Sequence, residues 1–159
     1  MANLIEPGDK VLICINGYFG TRLADMAQRY GAEVETIKRP WGEVFTPQDV
    51  KLALEKFPAK IVGIVHAETS TGACQPIKEI SSVVHQANAL MVVDTVTSLG
   101  GVPVKVDEND MDVCYSGSQK CLSCPPGIAP ITFSPRAEAA MDQRKGKVSN
   151  WYLDVNMVR

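Results

Sequence analysis

The chain is expected to fold as an α/β protein: an open, mostly parallel (mixed) sheet with helices on both faces. Three observations carry that expectation. Short apolar runs such as "VLICIN" (11–16), "KIVGIVH" (60–66) and "ALMVVD" (89–94) recur along the chain. Between them lie stretches whose apolar residues return every three or four positions, the period of a helix with one buried face. The runs are also apolar throughout rather than alternating, as strands covered on both sides must be.

Taken in order, "VLICIN" opens as a buried strand. A helix follows over "TRLADMAQRYG", with Leu23, Met26, Ala27 and Tyr30 on one face and Gly31 as its stop. "AEVETI" (32–37) is a second strand. Thr46 and Pro47 form an N-cap and first-turn pair for a helix whose stripe is Val50, Ala53, Leu54 and Phe57. The strand at 60–66 is followed by a helix using Ile77, Ile80, Val84 and Ala87, and then by the strand at 89–94. "DVCYSG" (112–117) and "GIAPITFS" (127–134) are two further strands. They come without helices between them, which admits antiparallel pairing there. Ser134 and Pro135 cap a last helix.

A chain of 159 residues suits one domain. Its formal net charge of −2, with basic and acidic residues mixed, lacks the basic patch of a nucleic-acid or anionic-membrane surface. No run approaches about 18 apolar residues and no secretion signal opens the chain, so the expected location is cytoplasmic, with an organelle left open. The five cysteines (14, 74, 114, 121, 124) are an odd and scattered set. Cys121 and Cys124 make a C-x-x-C, but no second pair or nearby His completes a metal site, so free, semi-buried thiols are expected.

Ligands of open α/β sheets collect beyond the carboxyl ends of the strands. Those ends carry Asn16, Gly17, Tyr18 and Phe19; Glu68, Thr69, Ser70 and Thr71; Asp94, Thr95 and Val96; and Ser116, Ser118, Gln119 and Lys120. Each has an ordinary structural reading: a turn-forming Asp, a Ser-rich loop, a core Phe. His66 and His85 read as structural, and His85, among apolar helix neighbours, has no assigned role. Together, however, a lysine, a carboxylate, an aromatic face and hydroxyl donors fit the needs of pyridoxal 5'-phosphate. Its aldehyde condenses with an amine, its ring nitrogen needs an anion, and its phosphate needs donors. No P-loop, G-x-G-x-x-G, H-E-x-x-H or G-x-S-x-G motif competes.

"VVDTVTSLGG" and "YSGSQKCLSCPPG", with "HAETSTG" before them and "WYLD" after, resemble the class V, fold-type I aminotransferases. The nearest members are those using alanine or serine with glyoxylate or pyruvate. The resemblance implies a pyridoxal-phosphate-binding large domain in which Lys120 is the Schiff-base lysine and Asp94 pairs with the pyridine nitrogen. It puts Phe19, where the family commonly has Trp, on one face of the ring and Val96 on the other. Thr69 would sit near the ring hydroxyl and Gln119 at the phosphate. A lysine that must be neutral to attack is expected to be buried.

The same resemblance implies small amino acid and 2-oxo acid substrates and a homodimer of the complete subunit. Residues 1–159 are then expected to be a partial large domain, lacking the family's N-terminal phosphate loop and C-terminal small domain. Two alternatives stand beside the aminotransferase. One is a non-catalytic fragment that keeps the fold. The other is a related class V enzyme such as a cysteine desulfurase, for which a His before the lysine is usual; here Gln119 precedes Lys120.

Overall fold

Each of the expected runs becomes a strand or a helix in the computed structural model, which describes residues 1–157. The order is β1 (Lys10–Ile15), α1 (Tyr18–Arg29), β2 (Glu33–Lys38), α2 (Pro47–Lys56), β3 (Ile61–Val65), α3 (Ile77–Gln86), β4 (Leu90–Asp94), β5 (Val113–Tyr115), β6 (Ile131–Phe133) and α4 (Pro135–Asp142). The last described stretch holds two short 3₁₀ turns, Trp151–Leu153 and Val155–Met157.

The six strands form one sheet in the order β2-β1-β3-β4-β5-β6. The first five run parallel, and β6 pairs antiparallel with β5. The antiparallel edge follows from the connection: the loop between β5 and β6 folds back on itself, with the Ser116 N–H bonded to the Pro130 carbonyl and the Ser118 N–H to the Ile128 carbonyl, so the chain returns alongside β5. The chain moves outward from β1 to β2 and then jumps back past β1 to β3. Beyond the carboxyl ends of β1 and β3, where the winding reverses, the flanking loops part and leave a crevice.

That reversal also distributes the helices. Right-handed crossovers place α1 on the face opposite α2 and α3. On one side Leu23, Ala24 and Ala27 of α1, with Ala137 and Met141 of α4, pack on Val11, Ile13, Ile61, Val92 and Val113. On the other, Val50, Leu54, Ile77, Ile80 and Val84 cover Leu12, Cys14, Val62, Ile64, Met91 and Val93. Alternate residues of one strand therefore serve two cores, which is why β3 and β4 are buried at every position. Each such aliphatic side chain contributes about 1.5–3 kcal/mol. Gly63 has its own packing reason: a Cβ there would lie 2.6 Å from Cδ1 of Ile13 and 3.0 Å from Cδ2 of Leu23, so its absence lets α1 settle on β3.

The local caps form as expected. Thr46 Oγ1 accepts from the Asp49 N–H at 3.3 Å while Asp49 Oδ2 accepts from the Thr46 N–H at 2.8 Å, a reciprocal box opening α2. Ser134 Oγ accepts from the Ala137 N–H at the start of α4. His85 departs from expectation. It lies against charge rather than apolar neighbours, with Nε2 2.8 Å from Asp112 Oδ2 and Nδ1 3.0 Å from Asp110 Oδ2. Asp112, fully buried, also accepts from Arg136 Nε, Ser134 Oγ and the Met91 N–H. This hub ties α3, the residues before β5 and the start of α4 together. All five cysteines are free, but only Cys14 and Cys114 are buried; Cys74, Cys121 and Cys124 are exposed. No helix among the described residues is long and apolar enough to cross a membrane.

Candidate active site

The carboxyl end of β1 runs through Asn16 and Gly17 straight into α1, three residues earlier than the sequence pattern indicates. Gly17, the N-cap residue, has no side chain with which to cap that helix. The cap comes from beyond β3, where Ser70 Oγ accepts from the Tyr18 N–H at 2.9 Å and Glu68 closes the rest. Its carboxylate accepts from the Phe19 N–H (3.1 Å to Oε2) and the Gly20 N–H (3.1 Å), and on its own loop from Ser70 Oγ (2.7 Å). An anion at a helix N-terminus meets unpaired N–H groups and the positive end of the dipole. Gly17 makes the approach feasible, since any Cβ there would collide with the Glu68 carboxylate. Residues 67–74 curl back on themselves through the Glu68 N–H to Ala73 carbonyl and Gly72 N–H to Glu68 carbonyl bonds. That curl lifts Thr69 to the surface, where its hydroxyl meets that of Thr97.

At the end of β4, Asp94 is 8% exposed. Its Oδ1 accepts from the Val96 N–H at 2.9 Å and its Oδ2 from the Tyr115 hydroxyl at 2.7 Å. Burial pushes the Asp94 carboxyl above the ordinary carboxylate range, with Glu68 adding to the rise; the two hydrogen bonds and the charge of Arg22 pull against it. Thr95 locks the neighbouring strand end, donating to the Tyr115 carbonyl, and Ser116 Oγ donates back to the Thr95 carbonyl.

The loop after β5 is closed on Ser118. Its Oγ donates to the Pro125 carbonyl at 2.7 Å, its carbonyl accepts from the Cys124 N–H, and its N–H donates to the Ile128 carbonyl. Lys120 sits on this closed loop, where its carbonyl accepts from the Ser123 N–H. The Cys121 thiol donates to the Thr97 carbonyl, tying the loop to the segment after Asp94. Here one expectation is corrected. Lys120 is exposed rather than buried, on a stretch, residues 119 to 129, that is exposed throughout.

Five of the six expected residues converge. Phe19, Thr69, Asp94, Val96 and Lys120 line a single cavity of about 120 Å³, together with Arg22, Met26, Val65, Thr97 and Tyr115. Gln119 lies outside that lining; its Oε1 turns toward Gly117. Two wider, more open hollows lie elsewhere, near Arg144 and Lys147 and between β2 and α2, and neither brings together a strand-end carboxylate and a lysine from neighbouring strands. Sequence reasoning missed Arg22, Tyr115 and the role of Glu68 as a cap. Arg22 was legible in principle as the one cation in the first turns of α1; the Tyr115 bond to Asp94 depends on the register of β4 and β5, which pairs those two residues. His66, 5% exposed, holds Ser98 through Nδ1 at 2.9 Å, and its burial lowers its proton affinity, in keeping with a structural role.

Known proteins resemble this chain along nearly all of its length. The family profile described as aminotransferase class-V matches residues 1–151. The (S)-ureidoglycine–glyoxylate transaminase of Bacillus subtilis (strain 168) is 46% identical over 145 residues, 91% of this chain and 35% of that protein. The alanine–glyoxylate aminotransferase of Rattus norvegicus is 42% identical over 154 residues, 96% of this chain and 37% of that protein. The crystal structure of an alanine–glyoxylate aminotransferase from Nostoc sp. superposes with a TM-score of 0.96 at 53% identity, covering 98% of this chain and 41% of that one. The chain thus spans well under half the length of the curated relatives it matches. On its fold and on a match running through nearly all its residues, the chain belongs to the class V aminotransferase family.

Proposed function

We propose that residues 1–159 are part of the cofactor-binding large domain of a pyridoxal-phosphate-dependent aminotransferase. It moves an amino group between a small amino acid, alanine or serine, and glyoxylate or pyruvate. The observation that carries the reading is the cavity that joins the Asp94 carboxylate to Lys120, in a chain whose relatives are named for transamination with glyoxylate.

The residues present fit the cofactor. Asp94 is a buried carboxylate whose hydrogen-bond partners, the Val96 N–H and the Tyr115 hydroxyl, are both neutral. A buried anion of this kind is stabilised by a cationic donor, and a protonated ring nitrogen is one. Phe19, Val96 and Lys120 line the same cavity, the first two with apolar side chains. Bound there, pyridoxal phosphate would supply an aldehyde to capture amines and an electron-poor ring to draw charge from the substrate α-carbon.

The chain's own groups then divide the work. Asp94 holds the proton on the ring nitrogen and so keeps the ring electron-poor. Lys120 would hold the cofactor covalently and give it up to an incoming amine. Its freed Nζ would serve as the general base that takes the proton from the substrate α-carbon and as the acid that returns it two atoms along, a 1,3-shift. Phe19 and Val96 would flank the ring, Thr69 would serve the ring hydroxyl, and Gln119 would serve the phosphate. In the complete subunit we expect a homodimer.

The test is the reaction. The chain saturated with pyridoxal phosphate is incubated with alanine or serine and glyoxylate, and glycine is followed by mass spectrometry together with the matching keto acid. Equal amounts of glycine and keto acid, both lost in Lys120→Ala, are expected. Glycine formation that survives Lys120→Ala undamaged would overturn the reading.

A further inference from the structure

The Asp94 carboxylate is held from two sides, and one of the two donors has no role in the proposed chemistry. An ionised carboxylate has about four acceptor positions. The Val96 N–H takes one on Oδ1 and the Tyr115 hydroxyl takes one on Oδ2. With a fixed donor on each oxygen the group is unable to turn about its Cβ–Cγ bond without breaking one of them. The carboxylate is thus held at the wall of the cavity that Asp94 and Tyr115 both line.

Tyr115 is itself placed by the sheet. It pairs with Asp94 in the β4–β5 register. Its carbonyl is gripped twice, by the Thr95 N–H at 2.9 Å and by Thr95 Oγ1 at 2.8 Å. The ring therefore leaves a strand end that has little freedom. Burial and the neighbouring Asp94 charge push the Tyr115 phenol far above its usual range, so it stays neutral and can only donate to the carboxylate.

We propose that Tyr115 is a positioning residue for the reaction, fixing the Asp94 carboxylate in the orientation and charge state that meets a protonated ring nitrogen. The inference rests on the reading of Asp94 as that nitrogen's partner. The groups that act on the Asp94 charge come from several neighbouring elements: the Val96 N–H just beyond β4, Tyr115 from β5, Arg22 from α1 and Glu68 from the loop after β3, while Lys120, from the loop after β5, lines the same cavity. Among them only Tyr115 touches a carboxylate oxygen with a side-chain donor.

Tyr115→Phe removes the hydroxyl and keeps the ring, and it is examined in two backgrounds. In the cofactor-free chain carrying ¹³C at aspartate Cγ, the Asp94 signal is identified by its loss in Asp94→Asn and titrated by NMR. Tyr115→Phe is expected to move its midpoint to higher pH, because a hydrogen bond that favours the charged form is gone. Pyridoxal-phosphate affinity is expected to fall on the order of ten-fold, as for a lost hydrogen bond to a charged group. In the Asp94→Asn background the same Tyr115→Phe change is expected to alter affinity little.

An unchanged Asp94 midpoint, or an equal affinity loss in both backgrounds, overturns the inference and assigns Tyr115 to packing alone. Affinity that is indifferent to Asp94→Asn itself overturns the reading of Asp94 on which the inference rests. The two failures are thus told apart by which variant is silent.

Discussion

The carboxylate of Glu68 closes the N-terminus of α1 from 49 residues away, accepting from the Phe19 N–H at 3.1 Å while only 1% exposed. One side chain thereby couples the start of α1, which bears Phe19, to the loop after β3, which bears Thr69. Glu68→Ala would strip the acceptor from the Phe19, Gly20 and Ser70 donors. A loss of about 2–3 kcal/mol in urea unfolding is expected, with a smaller loss for Glu68→Gln, which keeps one acceptor oxygen.

Asp112 is a buried source of acid sensitivity in the fold. Burial works to raise its carboxyl, but Ser134, the Met91 N–H, His85 and Arg136 together outweigh it and hold Asp112 below the ordinary carboxylate range. A lowered folded-state value means that the unfolded chain binds the proton more readily. The contribution is therefore complete above the unfolded value, and it is lost as pH falls from there through the folded one. Asp112→Ala leaves Arg136 and His85 without their buried partner and is expected to cost about 3–5 kcal/mol at neutral pH. Urea midpoints measured from pH 7 downward should show a shallower acid limb in that variant than in the parent.

Asp94 has the opposite sign. Burial raises its carboxyl, so the folded chain without cofactor holds this proton more tightly than the unfolded chain does. Stability then falls as pH rises from the unfolded value through the folded one, and the penalty is full above it. Asp94→Asn keeps an oxygen for the Val96 N–H and discards the charge. A cofactor-free chain carrying it is expected to melt a few degrees higher than the parent at neutral pH while losing most of its pyridoxal-phosphate affinity. Calorimetry with and without cofactor measures both effects, and a lower melting temperature in the free chain would contradict the account.

Much of this was legible in the residues because the signals are local. The buried strands announce themselves as unbroken apolar runs, and Thr46 and Ser134 sit directly before prolines that begin helices. Phe19, Thr69, Asp94, Val96 and Lys120 could be brought to one edge because strand ends converge in an open parallel sheet. What stayed hidden depends on contacts across the fold. The early start of α1 needs the Glu68 carboxylate, and the orientation of Asp94 needs a tyrosine whose pairing exists only once β4 and β5 are in register. His85 looked apolar along its helix because its carboxylate partners come from residues 110 and 112. The exposure of Lys120 was not readable either, since burial of a loop residue depends on what packs over it.

The most direct measurement is covalent capture of the cofactor. The chain is incubated with pyridoxal phosphate, reduced with borohydride, digested and examined by mass spectrometry, beside Lys120→Ala treated in the same way. The account expects the cofactor's added mass on the peptide containing Lys120, with a visible absorbance band before reduction, and neither in the variant. Added mass spread over other lysines, or a band that persists in Lys120→Ala, would contradict the assignment of Lys120 and with it the proposed active site.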